Sequence, residues 1–180
     1  MLKNALICIG AAGSAFVLSS ASADDTLARF KGGIGVIPLS NITAPAEAAT
    51  PLTNANVNRN VVRGVSPAGQ IWVIEKLDAK VSMNGRISVE GKGLILGGGN
   101  NVGFATGQRV FATLICEGTG NEQHSSGLAG VLLTVDGDFR INDRLTPIPP
   151  GKCENPVLLI RNAANGGWFA AGILRPDRDD

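Results

Sequence analysis

The chain has 180 residues, 44% hydrophobic but only 4% aromatic, with 16 Lys and Arg against 15 Asp and Glu for a net charge of +1. That length suits a single domain of roughly 100–200 residues and suffices for a buried core. Near-neutrality, with Lys and Arg scattered along the chain, gives no electrostatic argument for nucleic acid or an anionic membrane surface, which require a positive field or a basic block.

The opening, MLKNALICIGAAGSAFVLSSASADD, joins Lys3 to an apolar run from Ala5 to Leu18 and then to the small residues Ala21, Ser22 and Ala23. This is the pattern of a signal peptide cut after Ala23. The run is shorter than the ~20 residues that span a bilayer and no basic stop-transfer segment follows, so no membrane span is expected. Ile7 precedes Cys8, where a lipoprotein signal needs a small residue. Residues 24–180 then form one domain, secreted or periplasmic. Lys3 is the only charge removed, leaving 15 basic side chains to balance the 15 acidic ones. Cys116 and Cys153 remain, and an exported chain with an even number of thiols reads as carrying a disulfide. Closing a loop of about 38 residues stabilises a fold by roughly 4 kcal/mol.

Residues 38–58, PLSNITAPAEAATPLTNANVN, read as a long loop or covering strap. From there the signal is β. A strand is possible at 34–39 and another at 57–63. Ile71, Val73, Leu77, Ala79 and Val81 alternate with mostly polar residues, and Ile87, Val89 and Ile95 resume the period of two. A three-residue Met83-Asn84-Gly85 loop sets Val81 opposite Ile87, Ala79 opposite Val89 and Val73 opposite Ile95, with Gly85 in the left-handed position. The other face then places Lys76 diagonal to Glu90 and Asp78 diagonal to Lys92. Alternation continues at 109–116, at 131–135 before an Asp136-Gly137 turn, and at 139–141. Thr146-Pro147-Ile148-Pro149-Pro150-Gly151 cannot continue a ladder and brings Cys153 round to Cys116. The expectation is an all-β, single-domain antiparallel β-sandwich of seven to nine strands, immunoglobulin-like or jelly-roll in topology.

The order Arg63-Gly64-Val65, Trp72-Val73-Ile74, Gly91-Lys92-Gly93-Leu94, Ala112-Thr113-Leu114-Ile115-Cys116, Gly137-Asp138-Phe139, Asn155-Pro156-Val157-Leu158-Leu159-Ile160 and Trp168-Phe169-Ala170 resembles small secreted bacterial proteins of unassigned function. The resemblance covers about residues 60–174. It implies a bacterial exported β domain with one disulfide, and it carries over no catalytic residue.

Reactive groups are few. His124, the only histidine, lies in the polar stretch Glu117–Ser126 beside Ser125 and Ser126. A Ser-His-Asp triad would draw on it, but adjacent residues do not present a nucleophile to the ring and no Gly-x-Ser-x-Gly elbow occurs, so an exposed loop histidine is expected. Asp136-Gly137-Asp138, with Asn142 and Asp143, can supply oxygen ligands to Ca²⁺, though the spacing does not match an EF-hand and Asp-Gly equally serves a tight turn. No catalytic, cofactor or metal residue is assigned. Gly97-Gly98-Gly99-Asn100-Asn101 opens no helix and lacks a Lys-Ser/Thr, so it reads as a loop and not a phosphate cradle.

The stretch PVLLIRNAANGGWFAAGIL at 156–174 is apolar on both faces, and something must cover the second. Either the 38–58 strap crosses it with Ile42, Leu52 and Val57, or Val157, Leu158, Ile160, Trp168 and Phe169 form an interface with another protein or a second copy. The function expected is an exported non-enzymatic binding or structural module, with the loops at 97–107 and 117–127 facing the ligand. The alternatives are a hydrolase or sugar-active enzyme using His124 or the Asp136–Asp143 acids, and a subunit of a surface assembly.

Overall fold

The computed structural model describes residues 25–43, 56–117 and 120–175. The signal-peptide pattern, Cys8 and residues 44–55 of the expected strap lie outside them. Among the described residues there are thirteen strands and no helix, and hence no helix long and apolar enough to cross a membrane. In chain order the strands are β1 (Thr26–Gly35), β2 (Leu39–Thr43), β3 (Asn56–Arg59), β4 (Trp72–Val73), β5 (Lys76–Ser82), β6 (Arg86–Lys92) and β7 (Ile95–Leu96). There follow β8 (Arg109–Glu117), β9 (Gln123–Ser125), β10 (Val131–Leu132), β11 (Phe139–Arg144), β12 (Glu154–Asn162) and β13 (Trp168–Arg175).

Nine of these form one sheet in the order β10-β8-β12-β13-β1-β5-β6-β11, with β9 also on β8, while β2–β3 and β4–β7 are separate two-stranded pairs. Every pairing in the main sheet is antiparallel. The sheet nearly closes into a barrel, because Ser125 at the end of β9 and Thr146 just past β11 exchange backbone hydrogen bonds of 3.0 and 2.8 Å. This differs from the expected seven-to-nine-strand sandwich. Strands with one apolar face suit two stacked sheets or one sheet curled on itself equally well, and only pairing at the seam decides between them.

The hairpin register follows the alternation read from the sequence. Val81 faces Ile87, Ala79 faces Val89 and Val73 faces Ile95. Gly85 takes φ +81° in the three-residue loop, a conformation that side-chain-bearing residues resist. Leu77, Val81 and Val89 are fully buried on the inner face, and Leu114, Leu158 and Ile160 of the opposite wall belong to the same core. One detail departs from expectation. The alternation from Ile71 to Val81 breaks at Ile74–Glu75, so that Trp72 is buried while Ile71 and Val73 are exposed, and β4 leaves the main sheet to pair with β7. The apolar side chains keep their period of two, but the face that is buried changes across the break.

The 156–174 hairpin is covered from within the chain by a described stretch next to the expected strap, whose residues 44–55 lie outside the described residues. Residues 39–43 and 56–59 pair with each other as β2 and β3. The cover is the next stretch, 60–69. It is tied at one end by Arg63, whose Nη2 donates to the Asn155 carbonyl at 2.8 Å. Toward the other end the Trp168 N–H donates to Ser66 O and Trp168 O accepts from Ala68 N–H, both at 3.0 Å, and at the start of the stretch Asn60 O accepts from Trp168 Nε1 at 3.0 Å. Val65 and Ala68 of this stretch enter the core. On the neighbouring residue, Phe169 stacks against Trp72 with ring centroids 3.9 Å apart. Leu158, Ile160, Trp168 and Phe169, considered above for an interface, are therefore buried inside the chain, and Val157 is partly covered. Cys116 and Cys153 form the expected disulfide.

Candidate functional site

Arg161 stands on β12 directly across from Phe111 of β8, with Thr113 and Ser125 one row away on the same outer face. Its guanidinium lies over the Phe111 ring at 5.2 Å, an arrangement in which the ring quadrupole attracts the cation. Nε donates to Gly166 O at 2.7 Å and Nη1 to Gln123 Oε1 at 2.7 Å, with a longer approach to Thr113 Oγ1 at 3.4 Å. All these partners are neutral. No carboxylate pairs with Arg161 among the described residues, although the side chain is about half-buried and burial pushes the guanidinium below its usual range. Desolvating a charge without pairing it carries a cost that a purely structural arginine seldom bears.

The turn that holds Arg161 is built by Asn162. Its Oδ1 accepts the N–H groups of Ala164 and Asn165 at 2.6 and 3.2 Å, and its Nδ2 donates to Gln108 Oε1 at 2.6 Å. Gly166, at φ +73°, passes so close that a Cβ there would meet Arg161 Nη2 at 3.0 Å. A side chain at 166 would therefore cap Nη2, the one guanidinium nitrogen with no acceptor among the described residues.

Two grooves meet at this arginine. The larger, about 770 Å³, is lined by Phe111, Leu128, Ser125, Ser126 and Ala164 among others, and the smaller, about 350 Å³, runs between the 64–69 cover, Arg59 and Asn165. Both include Gln123, Arg161, Asn165 and Gly166, and neither has an acidic residue in its lining. Their volumes are those of small-ligand sites, which combine apolar walls with a few fixed polar groups. The loop expected at 117–127 borders the larger groove, whereas 97–107 does not; there Gly103 N–H bonds Leu96 O at 2.8 Å and closes a turn.

The other sequence candidates are committed to structure. His124 is a buried residue of β9 and not an exposed loop histidine. It pairs with Leu114 and points to the same inward face, because the short alternation Gln123-His124-Ser125 continues the barrel wall. Nδ1 lies 3.0 Å from Pro147 O, and Nε2 is buried with no partner among the described residues. Neither neighbouring hydroxyl serves it: Ser125 Oγ bonds Thr113 Oγ1 at 2.9 Å and Ser126 Oγ accepts the Ala112 N–H at 3.0 Å. Substituting His124→Ala should lower unfolding free energy by about 2–4 kcal/mol, since it opens a cavity and leaves Pro147 O without its donor. Urea denaturation measures this, and a loss below about 1 kcal/mol would remove the structural role.

Asp138 Oδ1 accepts the Gly93 N–H at 3.1 Å, and Asp143 Oδ2 accepts the Gly127 N–H at 2.7 Å. These acids fasten loops in different places, and no group of three metal-ligating side chains gathers among the described residues. No family model, curated protein or solved structure matches this chain.

Proposed function

We propose that the protein is an exported, non-enzymatic binding module whose ligand seats in the grooves around Arg161. The observation that carries this reading is the guanidinium itself, half-buried, fixed by neutral acceptors and left with one open edge. A carboxylate is the group that matches such an edge, through charge-assisted hydrogen bonds of fixed geometry. Phe111 and Leu128 offer an apolar wall to the rest of the ligand. The ligand is thus a small molecule or chain end that joins a carboxylate to an apolar group. Export is supported by the signal-peptide pattern at residues 1–23 and by the disulfide, which suits an oxidising compartment. A binding role is favoured over catalysis because His124 and the Asp138 and Asp143 carboxylates hold the fold together.

Calorimetric titration with N-acetylphenylalanine and with its amide tests the assignment. The acid should bind the disulfide-intact protein, and both the amide and the Arg161→Gln variant should lose at least tenfold in affinity, the worth of a hydrogen bond to a charged group. Equal binding of acid and amide, or undiminished binding by Arg161→Gln, would refute it.

A further inference from the structure

On the wall opposite Arg161, strands β1, β5, β6 and β11 lie side by side; β5 and β6 alternate throughout between buried and outward residues, and β1 and β11 do so over residues 28–31 and 139–142. Their outward residues fall into cross-strand rows. One row is Arg29, Lys80, Ser88 and Asn142; the next is Lys31, Asp78, Glu90 and Arg140. At one end Lys76 faces Lys92, and at the other Arg86 faces Arg144. Among the described residues, eight cations and two acids thus occupy the outward rows of this wall, in a chain whose net charge is only +1. Both acids are already engaged, Asp78 with Lys76 at 2.9 Å and Glu90 with Arg140 at 3.6 Å.

The Arg86–Arg144 pair is the sharpest feature. Like charges directly opposite on adjacent strands are destabilising, and neither guanidinium has an acidic or hydrogen-bonding partner among the described residues. The two flank an open groove of about 470 Å³ whose lining also includes Lys80, Ser82, Ser88, Asn142 and Asp143, the last with its Oδ2 accepting the Gly127 N–H. Among the described residues, no ion pair accounts for keeping two arginines there.

We infer that this wall, centred on Arg86 and Arg144, binds an acidic polysaccharide. Outward side chains stand roughly 6.7 Å apart along each strand and strands about 4.8 Å apart, so the wall presents a regular lattice of cations to a chain carrying repeated negative groups. Hydroxyl and amide groups at Ser82, Ser88 and Asn142 lie between the cations and suit the hydroxyls of a sugar chain. The outward positions of β5, β6 and β11 include no aromatic residue on which a nucleobase would stack. They include no aliphatic residue to enter a lipid surface either. The inference is independent of the Arg161 groove.

The test immobilises dextran sulfate, alginate and neutral dextran, and measures binding of the disulfide-intact protein across a salt series, beside a single-stranded DNA oligomer and phosphatidylglycerol vesicles. Binding to dextran sulfate, alginate or both, but not to dextran, with affinity falling as salt rises, is the expected result; a preference between the two identifies the acid group. The Arg86→Ser/Arg144→Ser variant should bind at least tenfold more weakly, with the slope against log salt reduced by about two. It should melt no lower than the parent, since a like-charge pair has been removed; if it does melt lower, Lys31→Ser/Lys92→Ser replaces it as the test. Lys152→Ser, away from this wall, should bind as the parent does. Undiminished binding by the cation-wall variants overturns the inference. So does binding to DNA or to vesicles at least as tight as to the acidic polymers, or failure to bind either acidic polymer.

Discussion

Replacing both disulfide cysteines by alanine lowers unfolding free energy by about 4 kcal/mol, because the bond spans 37 positions and removes the corresponding loop entropy from the unfolded chain. For a chain of this size that is a fall of roughly 10 °C in melting temperature. Alanine is the better replacement, since Cys116 is buried and a serine there would add an unsatisfied hydroxyl. The bond also sits beside the anchor of the 60–69 cover. Glu117 follows Cys116 and accepts the Asn155 amide, while Asn155 O receives Arg63. Differential scanning calorimetry with and without a phosphine reductant checks the prediction. The parent should lose stability on reduction and the double variant should not respond. A parent whose melting is indifferent to reductant would refute the stabilising role.

Trp168→Ala should cost about 3–5 kcal/mol, the range for truncating a buried large aromatic. Two contributions add. The ring leaves a void in the core, and Asn60 O loses the indole N–H. Trp168→Phe separates them, keeping most of the packing and losing only the hydrogen bond, with an expected cost of about 1–2 kcal/mol. Urea denaturation gives both numbers. Limited proteolysis adds a second readout, for cleavage within 60–69 should rise in the alanine variant before cleavage elsewhere. An unchanged cleavage pattern would mean that Trp168 does not anchor the cover.

Much of this architecture is legible locally. The register of β5 with β6 follows from an unbroken period of two and from a glycine where the loop must turn left-handed. Charge on its outer face follows from the same period. The disulfide follows from thiol parity. What is not legible depends on partners distant in sequence. The cover at 60–69 shows no strong periodicity, and it is recognisable only once Pro67 meets Trp168 about a hundred positions later. His124 sits among polar residues, and three residues of strand are too few to declare a buried face. Arg161 reads as an ordinary polar interruption of an apolar strand; its lack of a carboxylate partner is a property of the folded surface. The cation wall likewise needs the order in which strands lie. β1 must come beside β5, and β11 beside β6, before residues from four separate stretches share one surface.

That strand order has a further consequence, for the timing of folding. β1, the first strand described, is held between β5 and β13, the last. A growing chain can form the β5–β6 hairpin early from local contacts, but β1 has only one of its two neighbours until residues 168–175 have emerged. Such long-range pairing is slow to form and leaves strand edges open in the meantime. The barrel is therefore completed only once residues 168–175 have emerged, well after the local β5–β6 hairpin can form, and until then β1 keeps one open edge.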